Sequence, residues 1–198
     1  MRLLLATKNK GKLIEVQDAL HGLPLTLETL VQYPDLPDPV EDGASFAANA
    51  RLKSEHYLRL TGLATLADDS GLAVEALDGA PGIHSARFAP SDDARIRKLL
   101  STLDQVDPDW ANIGASARFV CALCLSRSSE HIEVEGEVWG EIIPTPRGAN
   151  GFGYDPIFYY PPLGKTFAEL SLAQKNRISH RAQALDLLRS SVGAWTES

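Results

Sequence analysis

An alternation of apolar strand patterns with helical patterns is the feature of this 198-residue sequence that most constrains its fold. A short apolar run at residues 2–6 precedes a segment at 10–20 whose apolar residues follow a helical spacing. The same patterns predict strands at 25–30, 63–67, 72–75, 117–125, 132–143 and 156–160, and helices at 44–60, 91–103 and 179–192. Alternating strands and helices with one central hairpin predict an α/β fold with a mixed sheet.

Charge and composition narrow the classes of function. A formal net charge of −7 argues against a DNA or RNA polymer as partner, which usually needs a basic patch, but permits a mononucleotide. No segment approaches the ~20 apolar residues of a membrane span, and the N-terminal apolar run is too short for a signal peptide, so we expect a cytoplasmic protein. Cys121 and Cys124 lie three apart on a predicted strand and point to opposite faces, so we expect buried apolar residues rather than a disulfide or metal site.

The segment between the first strand and the first helix resembles a phosphate site. It contains a hydroxyl, an amide and three lysines, in the order Thr7, Lys8, Asn9, Lys10, Gly11, Lys12. A helix N-terminus presents free N–H groups and favours phosphate. A solvated helix start with ordinary surface lysines is the alternative. The segment is not a Walker loop, because Leu13 follows Lys12 where serine or threonine is required, and no Gly-x-Gly-x-x-Gly is present.

An acidic pair, Asp68 and Asp69, follows an apolar strand pattern and precedes Ser70 and Gly71. Adjacent carboxylates are costly there unless a cation, donors or water offset them. Mg²⁺ prefers oxygen ligands, and α/β sheets place ligands at the carboxyl ends of strands. The pair therefore predicts a magnesium site, with an Asx-turn leading into Gly71 as the alternative.

Polar residues elsewhere add to this pattern. Glu41 precedes the second helix as a possible metal ligand, and Asn49 and Lys53 share one face of that helix. Further along are an aromatic loop with a carboxylate and three cations near the last helix, namely Phe152, Gly153, Tyr154, Asp155, Lys175, His180 and Arg181. Aromatic rings stack on bases, but a glycine-rich turn with core aromatics is also compatible with the loop.

Together these segments resemble the Ham1 family of inosine/xanthosine triphosphate pyrophosphatases. The resemblance runs from residue 7 to residue 181 and is carried by Thr7-x-Asn9-x-x-Lys12, Phe46-x-x-Asn49-Ala-x-x-Lys53, Ala67-Asp-Asp-Ser-Gly-Leu72, Gly79-Ala-Pro-Gly82, Gly151-Phe-Gly-Tyr-Asp-Pro156 and Ser179-His-Arg181. It implies one nucleotide pyrophosphatase domain over 1–198, a long mixed sheet with two lobes flanking a central cleft, and a homodimer. It also implies Mg²⁺-dependent hydrolysis of dITP, ITP and XTP to monophosphate and pyrophosphate, which removes deaminated purines from the nucleotide pool.

The resemblance also implies roles for individual positions. Asp69 would be the proton acceptor and a magnesium ligand, with Glu41 and Asp68 as further metal ligands. Substrate contacts would come from Thr7, Lys8, Asn9, Lys10, Gly11, Lys12, Asn49, Lys53, Ser70, Phe152, Gly153, Tyr154, Asp155, Lys175, His180 and Arg181. Two positions depart from the pattern: Val40 stands where many relatives have an acidic residue, and Asn150 where they usually have glycine. Because asparagine tolerates a left-handed backbone, we expect the loop at Asn150 to keep its conformation.

Other functions stay open from sequence. A Maf-like pyrophosphatase acting on pyrimidine or modified nucleotides shares the general design. A nucleotide sensor without catalysis would keep the phosphate segment and tolerate loss of the carboxylates, so the intact acidic pair argues against it. An interaction protein would have no reason to gather these cations and carboxylates.

Overall fold

The computed structural model describes the backbone of residues 1–196 and the side chains of residues 1–191. Its strands are β1 (Arg2–Leu5), β2 (Thr26–Thr29), β3 (Ala64–Val74), β4 (Ala115–Arg127), β5 (Glu130–Ile142), β6 (Phe158–Tyr160) and β7 (Lys165–Thr166). Its α-helices are α1 (Lys10–Ala19), α2 (Phe46–Thr61), α3 (Asp92–Val106), α4 (Trp110–Ile113), α5 (Leu172–Ile178) and α6 (His180–Thr196).

The strands form one seven-stranded sheet in the order β2-β1-β3-β4-β5-β6-β7. β1 pairs in parallel with β2 and β3, whereas β6 pairs antiparallel with β5 and β7. The predicted α/β class and mixed sheet are therefore confirmed. No helix among the described residues is long and apolar enough to cross a membrane.

By its internal contacts the chain divides into two compact units. The first consists of Met1–Asp69, Cys121–Gly136 and the chain from His180 onward, and the second of Ser70–Val120 and Glu137–Ser179. The division falls within β3, β4 and β5. That the whole chain is one functional domain stays a prediction.

The core of the first unit is built around β1. Three consecutive leucines of β1 are buried, a pattern typical of a parallel strand covered on both faces. Leu3 and Leu5 pack in one cluster with α1 and α6, and Leu4 packs in another that includes Tyr57 of α2. Two helices of this core begin with a capping side chain: Asn9 caps α1 and Ser45 caps α2.

The second unit has an aromatic core. Phe119, Phe158 and Phe167 lie with ring centroids 4.5 to 5.8 Å apart, and the apolar face of α3 packs into the same cluster. Ser91 caps α3 at the predicted start of this helix, and its side chain accepts a hydrogen bond from the N–H of Ala94 at 3.3 Å. The sequence patterns missed α5, which begins at the capping box of Ser171 and Gln174.

One prediction of secondary structure was wrong. The pattern placed strands at 63–67 and 72–75 with the acidic pair in the gap, but β3 runs unbroken from Ala64 to Val74. Asp68 and Asp69 therefore lie in mid-strand, not at a strand end or in an Asx-turn. The strand continues because cations from distant parts of the chain compensate the carboxylates. The two cysteines are buried and free, and they pack in different clusters, as predicted.

Candidate active site

Local hydrogen bonds fix the segment at 7–12, which leads into α1. The Asn9 side chain accepts a hydrogen bond from the N–H of Lys12 at 3.1 Å, and the Thr7 hydroxyl accepts one from the N–H of Asn9 at 3.2 Å. Lys8 is exposed and pairs with Asp38 at 2.6 Å. Lys10 is also exposed, so the segment presents ammonium groups to solvent at a helix N-terminus.

Asp68 is a buried carboxylate with cations on both oxygens. Its Oδ1 pairs with the ammonium of Lys12, and its Oδ2 accepts from Nε of Arg181 at 2.7 Å and from the Cys121 thiol at 3.2 Å. Burial alone would raise the pKa of Asp68, but Arg181 and Lys12 outweigh it and hold this pKa well below its usual range. Asp68 therefore stays charged.

Arg181 connects Asp68 to a second buried acid. The side chain is 1% exposed, and its Nη1 pairs with Glu15 of α1 while its Nε binds Asp68. The planar guanidinium can serve two carboxylates at once because its donors are fixed in a fork. Sequence reasoning missed Glu15, although an acidic residue on the apolar side of α1 was a usable signal.

Asp69 has a different environment from its neighbour. Its Oδ1 lies 3.6 Å from the Nζ of Lys53, whereas its buried Oδ2 has no hydrogen-bond partner among the described residues. Burial raises the pKa of Asp69, opposed by Lys53 and Lys12. Adjacent carboxylates whose pKa values are pushed apart are suited to different tasks, and Asp69 is the one equipped to accept a proton or a cation.

Lys53 of α2 joins Asp69 to Glu41. Its Nζ lies 3.2 Å from Oε1 of Glu41 and donates to the backbone carbonyl of Asp68 at 3.0 Å. One ammonium thus borders both Glu41 and Asp69. Asn49, one turn earlier on α2, is fully buried and accepts from the N–H of Gly43 at 2.8 Å.

These carboxylates fit a magnesium ion bound jointly with phosphate. No group of three His, Cys, Asp or Glu in the described chain is arranged to hold a metal alone. Mg²⁺, however, usually binds through one or two carboxylates plus substrate phosphates. Asp69, with its unpartnered Oδ2, and Glu41 suit that pattern. Asp68 would have to leave Lys12, Arg181 or Cys121 to bind a metal.

The second unit holds a separate cluster around the loop at 150–155. Asp155 accepts from the N–H of Phe152 at 2.9 Å and from Nζ of Lys175 at 2.6 Å, and Lys175 lies 4.7 Å from the Phe152 ring centroid. Asp155 and Lys175 are both buried. Gly151 completes the cluster, because at φ 75° a Cβ there would lie 2.0 Å from Oδ2 of Asp155.

Two residues outside the predicted site also fix this loop. Asp92 of α3 accepts from the N–H of Gly153 at 2.8 Å, and the backbone carbonyl of Ser85 accepts from the buried Tyr154 hydroxyl at 3.1 Å. Asn150 is not in a left-handed conformation, and its side chain donates to the carbonyl of Leu170 at 3.0 Å. The glycine that relatives carry is therefore not required here for backbone freedom.

The remaining predicted residues have the following positions. Ser70 is half-buried and directly follows the acidic pair at the start of the second unit. His180 is buried at the start of α6, next to Arg181. The first unit thus brings together Lys12, Glu41, Lys53, Asp68, Asp69 and Arg181, and the second brings together Phe152, Asp155 and Lys175.

Comparison with known proteins gives one consistent family. A protein named dITP/XTP pyrophosphatase from Geobacter sulfurreducens is 47% identical over 195 residues, covering 97% of this chain and 96% of its own. A HAM1 protein from Coxiella burnetii has a similar structure, with a TM-score of 0.88, 40% identity and complete coverage of both chains. A Ham1 protein from Staphylococcus aureus has a TM-score of 0.85 at 40% identity, covering 98% of this chain and 99% of its own.

The family model points the same way. The model of the Ham1 family matches residues 3–191, which include both clusters of polar residues described above. With that match and near-complete coverage by the relatives, this chain belongs to the Ham1 family.

Proposed function

We propose that this chain is a nucleoside-triphosphate pyrophosphatase. It hydrolyses dITP, ITP and XTP between the α and β phosphates, releasing pyrophosphate and the monophosphate, and so removes deaminated purines from the nucleotide pool. The observation that carries the proposal is the unpartnered buried Oδ2 of Asp69 beside Lys53, in the same unit as the phosphate segment. The name of the Geobacter sulfurreducens relative, at 47% identity, supports dITP and XTP as substrates.

In this proposal the phosphate chain binds at the start of α1 and beside the acidic pair. Thr7, Lys8, Asn9, Lys10 and Gly11 contribute donors at the start of α1, while Lys12 and Lys53 hold the charge that grows on the departing pyrophosphate. Ser70 is a further contact. Both lysines already face carboxylates, so their positions are fixed before substrate arrives.

Asp69 is the proton acceptor for the attacking water. Its buried Oδ2 has no hydrogen-bond partner among the described residues and can take up a proton, and general base catalysis contributes about 10²–10⁴-fold. Mg²⁺ held by Asp69 and Glu41 would neutralise phosphate charge and orient the reacting groups. Asp68 keeps its charge and fixes Lys12 and Arg181.

In this proposal the base and the sugar are contacted by residues predicted from the resemblance, namely Phe152, Gly153, Tyr154, Asp155, Lys175, His180 and Arg181. Phe152 offers a ring for stacking. Inosine and xanthosine carry a 6-oxo group where adenosine carries an amine. A site that donates a hydrogen bond to this oxygen leaves its donor unpaired against adenine, a mismatch that can cost ~10⁴-fold or more in discrimination.

The remaining parts of the proposal rest on the family resemblance for the dimer, and on the composition and charge of the sequence for the location and the partners. We propose a cytoplasmic homodimer that binds a purine nucleoside triphosphate and no nucleic-acid polymer. Light scattering coupled to size-exclusion chromatography tests the dimer directly. A monomer at micromolar concentration would contradict the proposed homodimer and would leave the proposed reaction unaffected.

The test of the reaction is a substrate profile with product identification. Purified protein is incubated with ITP, XTP, dITP, GTP, ATP and a pyrimidine triphosphate, with and without Mg²⁺, and pyrophosphate is resolved from orthophosphate. We expect Mg²⁺-dependent pyrophosphate from ITP, XTP and dITP, with much slower turnover of ATP. GTP shares the 6-oxo group, so slow turnover of GTP would have to come from exclusion of its 2-amino group. Orthophosphate release would place the cut at the γ phosphate, and preference for the pyrimidine would favour the Maf-like alternative.

A further inference from the structure

Asn49 is a buried amide in a helix, which is an unfavourable environment for this side chain. It lies inside α2 with 0% exposure, where asparagine is a weak helix former and a buried amide needs partners. Its Oδ1 accepts from the N–H of Gly43 at 2.8 Å, while its Nδ2 has no partner among the described residues. The hydrogen bond to Gly43 is therefore the one identified use of this side chain.

Gly43 lies so close to Asn49 that the residue at position 43 has no room for a side chain. A Cβ at Gly43 would lie 2.7 Å from Oδ1 of Asn49 and 2.9 Å from Cβ of Ala48. Its φ is outside the left-handed region, so backbone freedom does not explain the glycine. The absence of a side chain is what lets the segment before α2 approach the helix closely enough for the hydrogen bond.

The segment that Asn49 holds is the one that carries Glu41. Residues 37–43 have no regular secondary structure, and the hydrogen bond from the Gly43 N–H to Asn49 ties this end of the segment to α2. Glu41 is two residues from Gly43, and its carboxylate lies 3.2 Å from Nζ of Lys53, one helical turn after Asn49. One helix thus supplies both the anchor of the segment and the ammonium that Glu41 faces.

We infer that Asn49 and Gly43 form a clamp that positions Glu41 for metal and phosphate binding. In this role Asn49 is a positioning residue, not the direct substrate contact that the sequence predicted. The inference deepens the proposed function and rests on it for the identity of the nucleotide. Residues that orient ligands of a metal typically change metal affinity or activity by about 10–100-fold when replaced.

The test compares Asn49→Leu and Gly43→Ala with wild type and with Ser54→Ala as a matched control. Ser54 lies on the same helix, is fully buried and bonds to Ser126 at 2.8 Å, so its loss perturbs α2 without touching the clamp. Asn49→Leu removes the acceptor, and Gly43→Ala pushes the segment away with Asn49 intact. The second variant keeps the test valid if the first fails to fold.

Three readouts are measured on each protein. They are the Mg²⁺ concentration for half-maximal ITP turnover, KM for ITP at saturating Mg²⁺, and Mn²⁺ binding by electron paramagnetic resonance. Both clamp variants should need about 10–100-fold more Mg²⁺ and bind Mn²⁺ correspondingly more weakly, with KM for ITP changed less than about 3-fold. Ser54→Ala should match wild type in all three.

Two results would overturn the clamp: unchanged metal dependence in both variants, or a raised KM for ITP with unchanged metal dependence, which would make Asn49 a substrate contact. Hydrogen exchange at the backbone amide of residue 43, measured by NMR, tests whether each variant has lost the hydrogen bond between this amide and residue 49. If wild type itself releases no pyrophosphate, the proposed function fails, and Mn²⁺ binding alone then decides the clamp.

Discussion

The Nε of Arg181 lies 2.7 Å from Oδ2 of Asp68, and both side chains are buried. This pair ties the start of α6 to the middle of β3 through two residues that lie 113 positions apart in the sequence. Because Glu15 and Lys12 bind the same pair from α1, four charges share one buried network in the first unit. The network lets the charged Asp68 occupy a central strand.

Replacing Asp68 should therefore destabilise the protein in a pH-dependent way. Removing one partner of a buried ion pair typically costs about 3–5 kcal/mol, so Asp68→Asn should lower the free energy of unfolding by about that amount at pH 7. The pKa of Asp68 is lowered in the folded state. Its contribution is therefore fully present above the unfolded value near ~4 and is lost as pH falls through the folded value.

Urea unfolding at several pH values measures this effect. The difference between wild type and Asp68→Asn should shrink as the pH drops below about 4. The control is Asp38→Asn, since Asp38 also pairs with a lysine but is 66% exposed, and such pairs contribute about 0–1 kcal/mol. An Asp68 effect as small as the control, or one independent of pH, would contradict the network.

Gly151→Ala should damage the loop that holds Phe152. The added Cβ would fall 2.0 Å from Oδ2 of Asp155, which binds both Lys175 and the N–H of Phe152. A misplacement of about 1 Å near a reacting substrate can cost 10²-fold, so we expect kcat/KM for ITP to fall by about that factor.

The matched control for this loop is Gly164→Ala. Gly164 also has a positive φ, of 63°, but its nearest foreign atom to a Cβ is 3.8 Å away. The control should lose about 1 kcal/mol of stability from backbone strain and keep its kcat/KM. Equal kinetic losses in the two variants would show that strain, not the contact with Asp155, matters.

Both cysteines should be unreactive in the folded protein. Burial raises the pKa of Cys121 well above its usual range, with the charge of Asp68 adding to the effect, and burial also raises the pKa of Cys124. The thiolate is the reactive form, so an aromatic disulfide reagent should label no thiol at pH 7 and both in urea. Fast labelling of one equivalent without denaturant would contradict the burial.

The parts of this structure that sequence predicted well depend on local signals. The caps Ser45 and Ser91 and the helical spacing after Lys10 lie within a few residues of the elements they start, and α1, α2 and α3 begin close to the predicted positions. The segment at 7–12 and the loop at 151–155 are short contiguous motifs, and their roles in substrate binding stay predictions.

The parts that sequence missed depend on distant partners. The break predicted at Asp68 was wrong because the cation that compensates this carboxylate, Arg181, comes from the far end of the chain. The role of Glu15 was not predicted because its partner, Arg181, is 166 residues away in the sequence. The differing environments of Asp68 and Asp69 likewise arise only when β3, α1, α2 and α6 are assembled.

Asp69 is the residue on which the proposed reaction depends, and Asp69→Asn tests it most directly. The substitution keeps the shape of the side chain but removes its ability to accept a proton. We expect ITP turnover to fall by at least about 10²-fold while ITP binding, measured by calorimetry, is retained. Near-normal pyrophosphate release by Asp69→Asn would contradict the account and move the chemistry to another residue.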